Sequence, residues 1–287
     1  MYFVDLFCGC GGASEGARQA GLRVALAVDS DERALRTHAR NHPECRHMQL
    51  TLPAELPLPP EPRHVHCSPS CTKVSKGNQD RRGEERERAL ALIEWSVEYA
   101  RAHGTTWSLE QVGTPCVIAL LRRLGVEFGI FRFDKVGLPQ ARRRLVAGSP
   151  CVLAALRRAE GAPVCSVADV IAACRGTHIR GHACKQAQIR ADGSRVYIPR
   201  TVSQYARAVD RPSYCVIATN PLRWCTPSVD NQCRNLSVSE TAALQSFPAD
   251  YLVDEKITRA IRQIGNALPP KVARIMFESV APAGACA

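Results

Sequence analysis

The stretch that most constrains the fold of this 287-residue chain is a glycine-rich turn close to its start. Residues 4–16 read V-D-L-F-C-G-C-G-G-A-S-E-G, which predicts a strand, a turn and a helix in that order. The glycines let the backbone pass close to a ligand, and the start of the helix offers free N–H groups. Because Asp5 and Glu15 would repel a pyrophosphate, the turn favours a nucleotide-like cofactor other than NAD or ATP. A purely structural turn is the alternative interpretation.

The next predicted elements continue an alternating α/β pattern. A second strand at 23–28 ends at Asp29, whose carboxylate can accept hydrogen bonds from ribose hydroxyls or, alternatively, cap the helix that we expect from 31 to 41. A proline-rich connection at 53–62 then leads to a short strand at 63–67. Ligands of open α/β sheets gather at the C-terminal ends of strands, so Cys71, just beyond this strand, is a candidate nucleophile.

The charge balance indicates an anionic partner. The net charge is +11 and the isoelectric point is about 9.2, and no apolar run approaches the roughly 20 residues of a membrane helix. Nucleic acid is the simplest such partner. The acidic residue and the glycines in the opening stretch do not suit a signal peptide, so we expect an intracellular protein, in the cytoplasm or nucleus of its host.

The 14 cysteines are expected to be mostly reduced, packed thiols. Cys174, His178, His182 and Cys184 could in principle surround zinc, but their spacing is not a familiar one, and we predict no metal.

The sequence also predicts polar and charged residues next to the sheet. Glu110 follows a strand at 105–109, where it is a plausible general acid or, alternatively, an ordinary salt-bridge partner. Three adjacent arginines at 142–144 are either an anion site or carboxylate partner, or a solvated charge run. The polar segment 73–88 is expected to be a mobile loop that closes over a phosphate backbone, or else an ordinary solvated loop.

These separate signals together resemble the motif set of the cytosine-5 DNA methyltransferases, in the order in which that family carries them. The matching stretches are D-L-F-C-G-C-G-G at 5–12, P-S-C at 69–71, E-Q-V at 110–112, Q-A-R-R-R at 140–144, R-N-L-S-V-S-E with L-Q-S-F-P at 234–248, and G-N-A-L-P-P at 265–270. Where the chain departs from the family pattern, at the positions described below, it resembles a viral or phage-like branch of the family.

The resemblance implies an α/β fold, a Rossmann-like class I methyltransferase sheet with a second, smaller target-recognition domain. The catalytic domain would comprise 1–170, completed by 257–287, and the small domain 171–256. S-adenosylmethionine is the implied cofactor and S-adenosylhomocysteine the product. The implied cofactor-binding residues are Phe7, Cys8, Gly9, Gly12, Asp29, Ser30, Gln49, Leu50, Pro69, Asn266 and Ala267. The motif around Asn266 would pack back onto the first strand.

The resemblance also implies catalytic roles. The thiolate of Cys71 would add to carbon 6 of a cytosine flipped out of the duplex, and Glu110 would protonate ring nitrogen 3. Arg144 would bind the ring oxygen and orient the acid. Arg142 would assist the reaction, either through Glu110 or by contacting a phosphate.

Several positions depart from the family pattern. Ser70 and Thr72 flank the nucleophile where the family has proline and glutamine, and Gln111 replaces an asparagine. A serine before the nucleophile lacks the fixed φ of proline, which would loosen the placement of the thiol. Gln49 stands near the family's adenine-binding aspartate, and its carbonyl can accept the same hydrogen bond.

The middle of the chain, about 171–233, falls where the family places target recognition. Residues 175–234 contain ten Lys or Arg and three acids, which suits contacts to double-stranded DNA. The predicted DNA-binding residues are Ser75, Lys76, Arg81, Arg82, Arg175, Arg180, Lys185, Arg190, Arg195 and Arg200.

We expect a monomeric DNA (cytosine-5-)-methyltransferase, and the sequence leaves open whether a companion restriction endonuclease exists. A tRNA cytosine-5 methyltransferase and a catalytically weak DNA-binding paralogue are the alternatives.

Overall fold

A computed structural model of the chain describes residues 1–75, 83–171, 178–180, 186–189, 195–198, 206–208, 210–218, 222–225 and 233–281. The strands are β1 (Tyr2–Leu6), β2 (Arg23–Asp29), β3 (Arg46–Gln49), β4 (Arg63–Cys67), β5 (Thr106–Gln111), β6 (Phe128–Arg132), β7 (Gln140–Ala141), β8 (Arg143–Gly148), β9 (His178–Arg180), β10 (Gln186–Ile189), β11 (Arg195–Ile198), β12 (Ala206–Ala208), β13 (Ser213–Tyr214), β14 (Arg223–Cys225) and β15 (Cys233–Asn235). The helices are α1 (Gly12–Gln19), α2 (Glu32–Asn41), α3 (Glu84–His103), α4 (Pro115–Arg123), α5 (Pro150–Ala159), α6 (Val167–Val170), α7 (Val238–Leu244), α8 (Ile257–Asn266) and α9 (Pro270–Glu278), with a 3₁₀ turn at Phe133–Val136.

A seven-stranded sheet in the order β3-β2-β1-β4-β5-β8-β6 forms the centre of the fold. The first five strands of that order run parallel, and β8 is antiparallel to both of its neighbours. Parallel strands joined by helices are the arrangement expected for a Rossmann-like α/β fold, and the predicted fold class is confirmed.

Helices cover both faces of this sheet. The side chains of each strand alternate between the two faces, so the sheet packs against helices on both sides. On β1, Phe3 packs in the cluster that contains α1, α5 and α9. Val4 and Leu6, on the opposite face, pack with residues of α3 and α4. The ends of the strands therefore stay open for a site, while their middles form the core.

Close contact between α1 and the C-terminal segment explains two of the opening glycines. A Cβ on Gly12 would lie 2.2 Å from the carbonyl oxygen of Leu268, and one on Gly16 would lie 2.3 Å from the Cβ of Ala273. Gly12 therefore lacks a side chain because protein occupies the space that a Cβ would need. Leu268, from the motif around Asn266, belongs to the same hydrophobic cluster as Phe3 of the first strand, and further along the chain the ring of Phe277 lies 4.7 Å from that of Phe3.

The polar segment before α3 is shorter than predicted. The loop was expected to extend through Arg88, but α3 begins at Glu84. Glu84, Glu85 and Glu87 occupy the first helical turn, where carboxylates favour the positive end of the helix dipole. That charge pattern is a helix-start signal, and it outweighs the polar composition of the segment.

The middle of the chain contributes a separate set of short strands. Strands β12, β9, β14 and β15 form an antiparallel sheet in that order, and β10 and β11 form a hairpin. The hydrophobic cluster beside them joins residues before and after these strands, namely Val167, Ile171, Val216, Leu222, Leu236 and Leu244. Strand β13 pairs in parallel with β7, so the middle region is tied directly to the segment that precedes β8. Across the described residues, no helix has the length and apolarity needed to cross a membrane.

Candidate active site

A cavity of about 640 Å³ opens where the parallel strands of the main sheet end. Loops that follow β1, β2 and β4 contribute to its wall, together with the end of β5, the start of β8 and the end of α8. Because parallel strands end at one edge of a sheet, residues from distant parts of the sequence meet here. The lining residues that we use below are Phe7, Gly9, Asp29, Gln49, Pro69, Ser70, Cys71, Glu110, Arg142, Arg144, Gly265, Asn266 and Ala267.

One half of the cavity is built around Asp29, at the end of β2. Its Oδ2 accepts a hydrogen bond from the Gly9 N–H at 2.8 Å, and its Oδ1 accepts one from the Asp31 N–H at 2.8 Å. Gly9 has a φ of +54°, and a Cβ there would point into open space. The carboxylate thus holds the glycine turn in place while facing the cavity, and burial raises the pKa of Asp29 above its usual value.

This half has the chemistry that a nucleoside cofactor requires. It offers a carboxylate acceptor for hydroxyl groups, open space beside Gly9, and the ring of Phe7, which adopts a positive φ of 64° after β1. Most of the predicted cofactor-binding residues line the cavity: Phe7, Cys8, Gly9, Gly12, Asp29, Ser30, Gln49, Pro69, Asn266 and Ala267. Leu50 was also predicted, but its side chain packs against the hydrophobic cluster of the α3 and α4 face, because strand alternation turns it away from Gln49.

The sequence analysis missed two arginines of α8, Arg259 and Arg262, that also line the cavity. They are one helical turn apart and precede Asn266, so helical periodicity next to the G-N-A motif was the signal that could have identified them.

The other half of the cavity contains Cys71, which lies in the loop after β4. Ser68 anchors this loop, since its N–H donates to the Leu6 carbonyl at 3.2 Å and its hydroxyl donates to the Phe7 carbonyl at 3.2 Å. Burial raises the pKa of the Cys71 thiol, and the positive charge of Arg144 opposes that rise. The nucleophile candidate is thus placed in a partly desolvated position beside a cation.

Glu110 and Arg144 form an ion pair at the same end of the cavity. Arg144 Nε lies 2.9 Å from Glu110 Oε1, and the two side chains are only 14% and 9% exposed. The N–H is not aligned with that oxygen, which has no well-directed hydrogen bond in the described structure. The contact therefore holds the carboxylate in place at the wall of the cavity, which both residues line.

Arg142 has a different environment from the one we predicted. Its guanidinium donates to three backbone carbonyls, those of Val216 at 3.0 Å, Gly265 at 3.1 Å and Ala267 at 3.2 Å, and the residue is 1% exposed. It is not hydrogen-bonded to Glu110 in the described structure, so any action through Glu110 would be electrostatic, and the predicted role stays a prediction.

Two buried glutamines extend the contacts of Arg142. Gln140 donates to the Leu244 carbonyl at 2.8 Å and accepts from the Val216 N–H at 2.9 Å. Gln245 donates to the Ile264 carbonyl at 2.6 Å. We call Gln140, Arg142 and Gln245 the backbone clasp. The clasp joins the segment before β8, the segment after β13 and the turn at 264–267 that lines the cavity.

The predicted DNA-binding residues fall mostly outside the described part of the chain. Only Ser75 is described in full, and it lies just after the Cys71 loop, half-buried. Arg180 and Arg195 lie in β9 and β11, where only the backbone is described. Outside the described residues are Lys76, Arg81, Arg82, Arg175, Lys185, Arg190 and Arg200. The same holds for Cys174, His182 and Cys184 of the discarded zinc set, and the described residues contain no group that could hold a metal.

Comparison with known proteins agrees with this arrangement. A model of C-5 cytosine-specific DNA methylases matches residues 1–103 and 173–281. The chain belongs to this family. It is a DNA cytosine-5 methyltransferase that uses S-adenosylmethionine, which supplies the electrophilic methyl group when bound.

Two distant relatives match along nearly the whole chain. The chain is 26% identical to the type II methyltransferase M1.HphI of Haemophilus parahaemolyticus, over 98% of this chain and 86% of that protein. It is also 26% identical to M.AplI of Arthrospira platensis, over 98% and 85%. Three further type II methyltransferases match over 44 to 71 residues only, which is 10% to 15% of their own lengths. A DNA modification methyltransferase encoded within an E. coli prophage has a similar fold, with a TM-score of 0.64, 17% identity and 98% coverage of both chains.

Loss of the Asp29 carboxylate should weaken cofactor binding. We expect Asp29→Ala to cost about 1.5–3 kcal/mol, roughly tenfold to a hundredfold in Kd, because charge-assisted hydrogen bonds are removed. Calorimetry with S-adenosylmethionine measures this, with Glu98→Ala on the exposed face of α3 as the control. Because burial raises the pKa of Asp29, the parent should lose affinity on acidification at a higher pH than an ordinary aspartate allows. An unchanged Kd in Asp29→Ala would place the cofactor elsewhere.

Proposed function

We propose that Cys71, Glu110 and Arg144 carry out methyl transfer to carbon 5 of cytosine, with Cys71 as the covalent nucleophile. The observation that supports this most directly is that the three residues meet at one end of a single cavity whose other end is built around Asp29. A base and a cofactor bound in that cavity would lie next to each other. The three residues come from the ends of three different strands and are far apart in sequence. The fold therefore brings them together.

The chemistry requires this combination of groups. Carbon 5 of cytosine is a poor nucleophile, so the thiolate of Cys71 first forms a bond to carbon 6. Glu110 protonates ring nitrogen 3, which absorbs the charge and leaves carbon 5 electron-rich. Arg144 keeps the Glu110 carboxyl oriented and contacts the ring oxygen. After carbon 5 is methylated, water takes its proton, and the electron pair of that carbon–hydrogen bond restores the ring double bond as Cys71 leaves carbon 6 as a thiolate. Nitrogen 3 returns its proton to Glu110.

The base must leave the duplex to reach Cys71, because the thiol lies inside the cavity. Base flipping costs a few kcal/mol, which contacts to the phosphate backbone must offset. We assign those contacts to the segment that includes Ser75, Lys76, Arg81 and Arg82, and to the small domain.

Bisulfite sequencing tests the function as a whole. Plasmid DNA and tRNA from cells that express the protein are converted and sequenced in parallel. We expect protected cytosines in the plasmid at a recurring short sequence, and none above background in tRNA. Protection in tRNA alone would favour the tRNA alternative, and no protection in either would favour the weak paralogue.

Replacing the proposed acid separates catalysis from binding. Glu110→Gln should lower kcat by about 10²- to 10⁴-fold, because a neutral amide cannot protonate the ring. DNA affinity in a gel-shift assay should change less than about threefold. Glu127→Gln is the control, because Glu127 forms an exposed ion pair with Arg157 away from the cavity. Equal losses of rate and DNA affinity in Glu110→Gln would make Glu110 a structural residue.

We also propose that 171–256 forms a small domain that reads the DNA target, and that the enzyme acts as a monomer. The antiparallel strands outside the main sheet and the local excess of basic residues support this assignment. The description of its relatives as type II methyltransferases further supports a companion restriction endonuclease.

The basic residues of the small domain provide a quantitative test of its role. For Arg180→Ala and Arg195→Ala, the slope of log affinity against log salt should become shallower by about 0.9 for each phosphate that the variant no longer neutralises. Arg158→Ala on α5, exposed and outside the small domain, should leave the slope unchanged. If both small-domain variants bind duplex DNA like the parent at every salt concentration, these arginines do not bind phosphates.

A further inference from the structure

The loop that carries Cys71 lacks the rigid residue that the family places next to its nucleophile. Ser70 precedes Cys71, and the proline lies one position earlier, at 69. Ser70 is exposed, and its hydroxyl contacts the Thr72 hydroxyl at 3.1 Å, which lies in the same loop. The contact between Ser70 and Thr72 lies within the loop, so Ser70 adds nothing to the two bonds by which Ser68 attaches the loop to the end of β1.

Gln111 provides a direct link from the sheet to this loop. It is the last residue of β5 and is 1% exposed. Its Nε2 donates to the Pro69 carbonyl at 2.9 Å, and its Oε1 accepts from the Val112 N–H at 2.8 Å. Both ends of the amide are therefore occupied, which fixes its orientation and leaves little freedom to the Pro69 carbonyl.

The position of Gln111 also links the proposed acid, Glu110, to the loop of the proposed nucleophile, Cys71. It is the residue next to Glu110 on β5, and Pro69 is two residues from Cys71. The bond from Gln111 to Pro69 thus fixes the nucleophile loop against the same strand end that presents the acid. An asparagine at 111 would be shorter by one carbon–carbon bond, about 1.5 Å, and would not reach Pro69 from this backbone.

We infer that Gln111 is a positioning residue for Cys71, and that Gln111 and Ser70 form a matched pair in which the longer amide replaces the rigidity of a proline at 70. The inference rests on the proposed role of Cys71 as nucleophile. A misplacement of about 1 Å can cost on the order of a hundredfold in rate, so an anchor outside the reacting groups has a measurable effect on turnover.

A set of variants tests this pairing. We compare the parent with Gln111→Asn, Ser70→Pro and the double variant, using tritiated methyl transfer to plasmid DNA, calorimetry with S-adenosylmethionine, and thermal unfolding. The rate at which iodoacetamide alkylates Cys71 in the DNA-free protein, followed by mass spectrometry of the peptide, reports on the thiol itself. Gln19→Asn is the matched control, since it shortens an amide that bonds only to Glu15 on α1 in the described structure.

Gln111→Asn should lower kcat roughly tenfold to a hundredfold and change the alkylation rate of Cys71 several-fold. Its Kd for S-adenosylmethionine should stay within about twofold of the parent value. The double variant should regain at least about half of the missing activity on a logarithmic scale. Gln19→Asn should match the parent in every measurement.

A second substitution keeps the acceptor of Gln111 and changes only its donor. Gln111→Glu can still accept from the Val112 N–H, but it donates to Pro69 only when its carboxyl is protonated. Its activity relative to the parent should therefore rise as the pH falls. Thermal unfolding of Gln111→Glu over the same pH range separates this effect from the general cost of burying a carboxylate charge, which would lower the Tm in parallel with the activity.

The outcomes separate this inference from the proposed function. Parent-like kcat and alkylation in Gln111→Asn would overturn the inference, as would a double variant no faster than Gln111→Asn. Parallel losses of cofactor affinity and thermal stability would also overturn it, because they indicate a general structural role. Turnover by Cys71→Ala would instead overturn the proposed function, whereas an inactive Cys71→Ala beside a normal Gln111→Asn would overturn the inference alone.

Discussion

Replacing Cys71 by alanine should abolish methyl transfer, with a loss of at least about 10⁴-fold in kcat. The thiolate supplies the bond that activates carbon 5. The other thiols that line the described cavity, Cys8 and Cys10, belong to the glycine turn after β1, and Cys215, which contacts Arg144, does not line the cavity. Cofactor affinity should change less than about threefold, because Asp29 and the glycine turn lie in the other half of the cavity.

Methyl transfer to plasmid DNA and calorimetry with S-adenosylmethionine measure the two effects separately. Cys151→Ala is the control, because Cys151 is a half-buried thiol on α5 that packs against the core and does not line the cavity. It should retain the parent rate. Turnover near the parent rate in Cys71→Ala would exclude the covalent mechanism.

Local sequence patterns were sufficient for the elements that position the site. Strand β4 has the predicted bounds, and β2 and α2 lie within a residue of theirs, because alternation and turn residues act over short distances. The positions of Asp29, Cys71 and Glu110 beside one cavity follow from these strands being parallel.

Contacts between distant segments were the part that sequence reasoning could not supply. Arg142 and Arg144 are two residues apart, and strand alternation alone would give them similar surroundings. Arg142 instead lies between β7 and β8, where its N–H donates to the Gln140 carbonyl at 2.9 Å, and its partners come from 74 to 125 positions further along the chain. The packing of Gly12 against Leu268 was not predicted for the same reason, since Leu268 is remote in sequence.

The second large expected effect is a loss of stability when Arg142 of the backbone clasp is replaced. Arg142→Met keeps most of the side-chain volume and removes all of its donors. The buried carbonyls of Val216, Gly265 and Ala267 are then deprived of charge-assisted hydrogen bonds, and Ala267 keeps only a 3.3 Å bond from Gln245. We expect a loss of about 3–5 kcal/mol in the free energy of unfolding, or a fall in Tm of roughly 10 °C.

Arg143→Met is the matched control, because Arg143 is adjacent in sequence and exposed, and its side chain should contribute less than about 0.5 kcal/mol. Thermal unfolding compares the two variants directly. Cofactor affinity should fall in Arg142→Met as well, since the turn at 264–267 that the clasp holds lines the cavity. If Arg142→Met unfolds like Arg143→Met and loses only catalytic rate, Arg142 acts on the substrate, and its bonds to the three carbonyls do not hold the fold together.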